Sequence, residues 1–324
     1  MPTVSVVVPN YNHARFLPKR IESILRQSYQ DFELILLDDC STDDSRAILS
    51  QYAVDPRVRL EFNQVNSGGP FKQWNKGVRL ARGKYIWIAE SDDYADEHLL
   101  EKLVPRLDED PSAVLCYCRS WRVSADDKLS GFSDWFLTEH VDQQKWTADF
   151  SADGREECRE YFVRYNNIPN ASSVLFRRNV YQSIGGADEK LVFCGDWKTW
   201  ATMALSGGTI SYVAEPLNYH RFHTASVTER SERNGVWAIE ALHIVSWILQ
   251  RLDVDQAVRA NVCEDLSFLW IPVVLNSRFP ISLRWAILRE AATVDHNAVR
   301  RLVHPTLTAL RMTLARRWRS LRAA

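Results

Sequence analysis

An α/β fold, with a mostly parallel sheet and helices on both of its faces, is what the first third of the chain predicts, and three observations carry it. Short apolar runs rich in β-branched residues recur, amphipathic segments separate them, and polar residues gather where each run ends. Continuous apolar runs suit strands covered on both faces, and strand, helix, strand in repetition joins parallel neighbours through crossovers.

The elements follow in order. VSVVVP at 4–9 is the first strand. Residues 17–27 then place Ile21, Ile24 and Leu25 on one helical face. FELILLDD at 32–39 is the second strand, and Ser41 and Thr42 are candidate caps for a helix over 43–52. VRLEFN at 58–63, KYIWIAES at 84–91 and AVLCYC at 113–118 supply three more strands. Residues 118–219 are less periodic and rich in Trp, with GDWKTWATMALSG reading as a short helix. From about Ser231 the pattern is helical to the end, interrupted at Pro272, Pro280 and Pro305. The domain division this suggests is a catalytic domain over 1–228 and a C-terminal helical region over 229–324.

Bulk properties narrow the function classes. With 46% apolar and 25% charged residues, the chain is neither disordered nor fibrous. A net charge of −1 gives no global field to recruit nucleic acid. The six cysteines lack paired C-x-x-C spacing and read as reduced thiols of a cytosolic protein. MPTVSVVVPNYN has no basic stretch followed by an apolar core and a cleavage site, so no signal peptide is expected. The longest apolar run, LSFLWIPVVL at 266–275, is about half a membrane span. Neither G-x-x-x-x-G-K-[ST] nor G-x-G-x-x-G is present, which argues against kinases and dinucleotide oxidoreductases.

In parallel sheets ligands bind beyond the carboxyl ends of the strands. The polar residues fall there: Asn10 to Asn12, Asp38 to Asp43, Asn66 to Lys72, and the acids of YIWIAESDDYADE at 85–97. Carboxylates crowded at a strand end raise one another's pKa unless a cation neutralises them, and a hard divalent ion such as Mg²⁺ or Mn²⁺ does so. The alternative is that Asp92, Asp93 and Asp96 cap a helix beginning near His98. Tyr11 offers an aromatic face beside the Pro9 backbone, although PNYN also suits an ordinary turn. Asp38 and Asp39 end the second strand, where a carboxylate accepts from a base N–H or a ribose hydroxyl, or where the segment is a plain capped turn.

The blocks VSVVVPNYN, LILLDDCSTDDS, NSGGPFKQWNKGVRLARGKYIWIAESDDY, PNASSVLFRRNVYQSIGGADE, GDWKTWATMALSG and PLNYHRFHTASVT, in this order, resemble a family 2 inverting glycosyltransferase of the GT-A fold, over about 70% of the chain. The resemblance implies a nucleotide-diphosphate sugar donor, with uracil the frequent base. It implies a saccharide or lipid-linked saccharide acceptor in bacterial surface polysaccharide synthesis, and Mn²⁺ or Mg²⁺ as cofactor. Pro9, Tyr11 and Asp39 would hold the base, Asp92 the ribose and Asp93 the metal. Lys72 and Arg221 would face the diphosphate, His223 the diphosphate or the metal, and Asp196 would be the catalytic base. Three positions depart from the family's pattern: Trp74 stands where Arg is frequent, Gly195 where Glu is frequent, and Glu90 where many members have Asp.

The tail lies outside that resemblance. From Arg300 on there are seven Arg and no acids, and Leu307, Leu310, Leu314, Trp318 and Leu321 recur at helical spacing. Such a stripe suits peripheral contact with the inner membrane of a cytoplasmic enzyme, or the surface of another part of the protein or of a partner subunit in a homo-oligomer.

Overall fold

Ten strands form one sheet in the computed structural model, which describes residues 1–224, 226, 231 and 234–298. They are β1 (Val4–Asn10), β2 (Phe32–Asp38), β3 (Val58–Phe62), β4 (Tyr85–Ile88), β5 (Tyr94–Ala95), β6 (Ala113–Ser124), β7 (Leu129–Phe132), β8 (Phe150–Asp153), β9 (Val174–Arg177) and β10 (Thr209–Phe222). The order is β3-β2-β1-β4-β9-β6-β10-β5, with β7 on β6 and β8 on β10.

The first four strands are parallel, as the alternation requires. Beyond them β9 runs antiparallel to both β4 and β6, β10 parallel to β6, and β5 antiparallel to β10. Half of the sheet is therefore mixed rather than parallel. Of the strands responsible, β9 and β10 lie in the stretch without strand–helix alternation, where nothing in the sequence signals direction, and β5 is only two residues long.

Every residue of β1, β2 and β4 is buried, so both faces of this part of the sheet are covered. Val4, Val6 and Val8 join Leu34, Leu36 and Trp87 in a core with Leu17, Ile21 and Ile24 of helix Leu17–Leu25. Val7 points the other way, to helix Pro70–Leu80, whose Gly77 approaches so closely that a Cβ would sit 2.2 Å from Val7 Cγ1. Only glycine allows that contact, and it seats the helix that later ties the site together.

Two local expectations change. Ser41 does not cap the helix Ser45–Gln51; its hydroxyl accepts from Asn10 Nδ2 and from the Asn12 N–H, holding two strand-end loops together. Pro272 lies inside helix Ser267–Leu275 and does not end it, because Trp270, Ile271, Val273 and Val274 are buried on either side and their packing offsets the lost hydrogen bond.

The chain divides into two compact units, Met1–Glu157 with Asn167–Thr224, and Cys158–Asn166 with the described residues that follow Thr224. The second contains helices Val236–Leu249, Gln256–Asp265, Ser267–Leu275 and Ile281–Val294. Asp255 caps the second of these by accepting from the Val258 N–H at 2.9 Å. Among the described residues no helix is long and apolar enough to cross a membrane. The basic stripe from Leu307 to Leu321, and Pro305, lie outside the described residues.

Candidate active site

Strands β1 and β2 end side by side, and their polar ends bind each other. Asp38 is buried and accepts from Asn10 Nδ2 at 3.0 Å, the Ser41 N–H at 3.0 Å and Arg46 Nε at 2.8 Å. Asp39 accepts at Oδ1 from Asn63 Nδ2 (2.6 Å), the Ser67 N–H (2.8 Å) and Gln73 Nε2 (2.9 Å), and at Oδ2 from Ser67 Oγ (2.7 Å). Lys72 Nζ donates to the Ser67 carbonyl at 2.7 Å, so Asp39 and Lys72 meet at one loop residue. Pro9 is buried in β1, whereas Tyr11 is 42% exposed at the crevice edge. Asn12 and Cys40, next to these residues, are non-glycine residues at positive φ (58° and 62°). Such conformations persist where surrounding bonds over-determine them, often at functional sites.

The acids after β4 separate into three environments. The two-residue β5 pairs with β10 at Tyr94–Tyr219, which carries Asp92 and Asp93 alongside Arg221 and His223. Asp92 Oδ2 lies 3.0 Å from His223 Nε2. Burial alone would raise Asp92, but the bond from His223 and the charge of His13 outweigh it and hold the carboxyl below its usual range. Asp93 is buried, and burial pushes it up; its Oδ1 accepts from the Arg221 N–H at 2.8 Å. Glu90 is driven up to about 8, by burial first and the Asp92 charge second, and accepts from Trp74 Nε1 at 2.7 Å. Asp96 alone serves the following helix, accepting from the His98 N–H at 2.9 Å.

The ligand atoms of His13, Asp92 and His223 all lie within 4.8 Å of one another. One carboxylate and two imidazoles are a donor set that a divalent transition ion accepts, and it suits Mn²⁺ better than Mg²⁺, which prefers oxygen. The residues present therefore fit a metal. Of the two residues that the resemblance puts at the metal, His223 is in this cluster and Asp93 is not; Asp92, expected at the ribose, supplies the carboxylate, and His13, which follows PNYN as an isolated histidine with no spacing signal, was missed.

Two arginines stand behind the acids. Arg221, anticipated at the diphosphate, is 4% exposed and spends its guanidinium elsewhere: Nε donates to the Asp92 carbonyl, Nη1 to the Ser124 and Ala125 carbonyls and Nη2 to Asp127. It holds the acid-bearing turn in place. Arg20 is fully buried over the Trp87 ring, and none of its side-chain nitrogens has a hydrogen-bond partner. Burial lowers it to about 10, opposed by the charges of Asp93, Glu90 and Asp92, so it stays protonated at neutral pH. Its sequence signal was legible: Leu17, Arg20, Ile21 and Ile24 share the buried helix face.

Asp196 is the second residue of helix Gly195–Leu205, whose positive N-terminal end favours a carboxylate there, and its Oδ1 accepts from the Trp197 N–H at 2.7 Å. Before it stands Gly195, where a Cβ would lie 2.4 Å from the Phe71 ring. An aromatic ring fills the volume that a side chain at 195 would need.

A mixed sheet with helices on both faces, its acids and histidines gathered beyond the strand ends, is the architecture of GT-A glycosyltransferases. Staphylococcus aureus TarS residues 1–349 in complex with UDP-GlcNAc matches 98% of this chain and 90% of its own, with a TM-score of 0.68 and 17% identity. The mannosyltransferase PcManGT of Pyrobaculum calidifontis, in complex with GDP-Man and Mn²⁺, matches 99% and 84% with a TM-score of 0.60 and 17% identity. These likenesses show the fold. Residues 5–162, a little under half of the chain, match the family model Glycosyl transferase family 2. The putative teichuronic acid biosynthesis glycosyltransferase TuaG of Bacillus subtilis is 39% identical over 102 residues, 31% of this chain and 40% of TuaG. The chain spans between 13% and 41% of the length of the curated relatives it matches at 39–44% identity.

Proposed function

We propose that the chain transfers a sugar, with inversion, from a nucleoside-diphosphate donor, most simply a UDP-sugar, to a hydroxyl of a saccharide or lipid-linked saccharide in bacterial surface polysaccharide synthesis. The observation that carries this reading is the convergence of His13, Asp92 and His223 beyond the end of β4. A family 2 segment and fold neighbours complexed with UDP-GlcNAc and with GDP-Man and Mn²⁺ support it.

His13, Asp92 and His223 would hold the metal, which when bound supplies positive charge to the departing diphosphate. Asp93 lies beside them and Arg221 braces both acids from behind. Tyr11, Pro9 and Asp39 would receive the base and Lys72 would lie near the diphosphate. The acceptor oxygen bonds to the anomeric carbon as its proton passes to the Asp196 carboxylate. The bond from that carbon to the phosphate oxygen breaks, and its electron pair leaves on the nucleoside diphosphate. The protein would work in the cytoplasm, at the membrane face where lipid-linked acceptors lie, which the basic tail favours.

The test is a panel of UDP-, GDP- and dTDP-sugars with Mn²⁺, reading nucleotide release and donor affinity. Asp196→Asn should leave donor affinity within a few-fold and lower turnover by about 10²–10⁴. If affinity collapses while turnover at saturation survives, Asp196 binds donor and is not the base. Undiminished turnover in excess EDTA would remove the metal.

A further inference from the structure

Three consecutive side chains of helix Pro70–Leu80 each hold a different wall of the site. Gln73 Nε2 donates to Asp39 at the end of β2 (2.9 Å), and Trp74 Nε1 donates to Glu90 at the end of β4 (2.7 Å). Asn75 binds the segment leading to Asp196: its Nδ2 donates to the Ala187 carbonyl and to Glu189, both at 2.9 Å, and its Oδ1 accepts from the Ala187 N–H at 3.0 Å. All three side chains are nine-tenths or more buried, and the bonds from Gln73 to Asp39 and from Asn75 to Ala187 lie where water cannot readily replace them.

The same helix touches the base-bearing helix through aromatic rings. Phe71 fills the space a side chain at Gly195 would occupy, Trp74 meets Phe71 edge-on at 5.1 Å, and Trp74 lies 5.8 Å from Trp200, four residues beyond Asp196. The positions that depart from the resembled family's pattern, Trp74, Glu90 and Gly195, are thus one contact unit: the indole reaches Glu90, and its Phe71 neighbour needs the glycine.

We propose that Trp74, with Phe71 behind it, is a positioning residue that sets the place of Asp196 relative to the acids after β4. Catalytic groups displaced by about 1 Å lose on the order of 10²-fold in rate, so a rigid tie between the donor side and the base side belongs in such a site. Its action runs through Asp196 and therefore rests on the function proposed above.

The experiment is a double-mutant cycle on the full chain. Trp74→Phe keeps the ring and removes the N–H; it is combined with Asp196→Asn. Turnover is read as nucleotide release from the sugar nucleotide of the panel that the wild type hydrolyses fastest, in Mn²⁺, and donor affinity by calorimetry. Trp74→Phe should lower turnover by about 10–100-fold with donor affinity within about three-fold, and should add less than about two-fold in the Asp196→Asn background, since its effect passes through that carboxylate. Equal losses in both backgrounds would overturn the inference while leaving the base intact. No loss from Asp196→Asn itself would instead overturn the proposed reaction, and this inference with it. Should Trp74→Phe fold poorly, Gly195→Ala, which presses on Phe71, gives the same split of turnover from affinity; a change in melting temperature alone would reduce the aromatic unit to a packing role.

Discussion

Glu90 is a carboxyl held mostly neutral, and its titration should be visible in stability. Its folded pKa of about 8 stands above the ordinary 4.5, with burial the main cause and the Asp92 charge the second. The folded state therefore keeps a proton that the unfolded chain releases, so this group's contribution to stability is full below about pH 4.5 and falls as pH rises toward 8. At about 1.36 kcal/mol per unit the whole span amounts to roughly 5 kcal/mol, and the part between pH 5 and 8 to roughly 3 kcal/mol. Glu90→Gln keeps an acceptor oxygen for Trp74 Nε1 and removes the titration. In EDTA the variant should match the wild type near pH 5 and melt on the order of 10 °C higher at pH 8, given about 2–4 °C per kcal/mol for a domain of this size. Melting curves at closely spaced pH values read the difference directly. A gap between the two proteins that does not change with pH would refute the reasoning, because it would mean that Glu90 ionises in the folded protein as it does in water.

Two further outcomes follow from the same cluster. Arg20→Met keeps the apolar contact with Trp87 but leaves Asp93 and Glu90 without their buried counter-charge, and should cost roughly 3–5 kcal/mol near pH 8 and less near pH 5; Arg20→Lys should recover part of it, and a Met variant as stable as the wild type at pH 8 would show that the charge is not felt. His13→Ala should weaken Mn²⁺ binding by roughly 10–100-fold in calorimetric titration, and unchanged affinity would remove His13 from the metal site.

What the sequence showed and hid follows from which interactions are local. Strands β1, β2 and β4 were legible because each carries a continuous apolar run bounded by polar residues, a pattern that burial on both faces imposes, whereas the edge strand β3 showed itself by alternation, Val58, Leu60 and Phe62 against Arg59 and Glu61. Helix Gly195–Leu205 and its acid were legible from a polar start and a Trp spacing. The direction of β9 was not, because a four-residue strand reads the same both ways. Nor could residue types reveal where Arg221 sends its guanidinium. Its partners Asp92, Ser124 and Asp127 come from two distant segments, and the choice between them and a diphosphate is made by the β6–β7 turn closing over it.

The two-residue strand β5 shows how little backbone the site needs to assemble. Asp92 and His223 are 131 residues apart in sequence, and the Tyr94–Tyr219 register brings them to 3.0 Å. Two strand residues cannot hold that register by ladder bonds alone. The side chains supply the remainder: Tyr94 and Tyr219 stack at 4.3 Å with an 8° tilt, Lys19 Nζ lies 3.7 Å from the Tyr94 ring centre, and the Arg221 N–H and Nε fasten to Asp93 and the Asp92 carbonyl. Asp93 therefore has a task that does not depend on metal, since its Oδ1 anchors the strand that carries His223. Loss of that carboxylate would release β10 from the acid turn and move His223 away from Asp92, so damage to the metal site would follow even though the His13, Asp92 and His223 side chains were untouched.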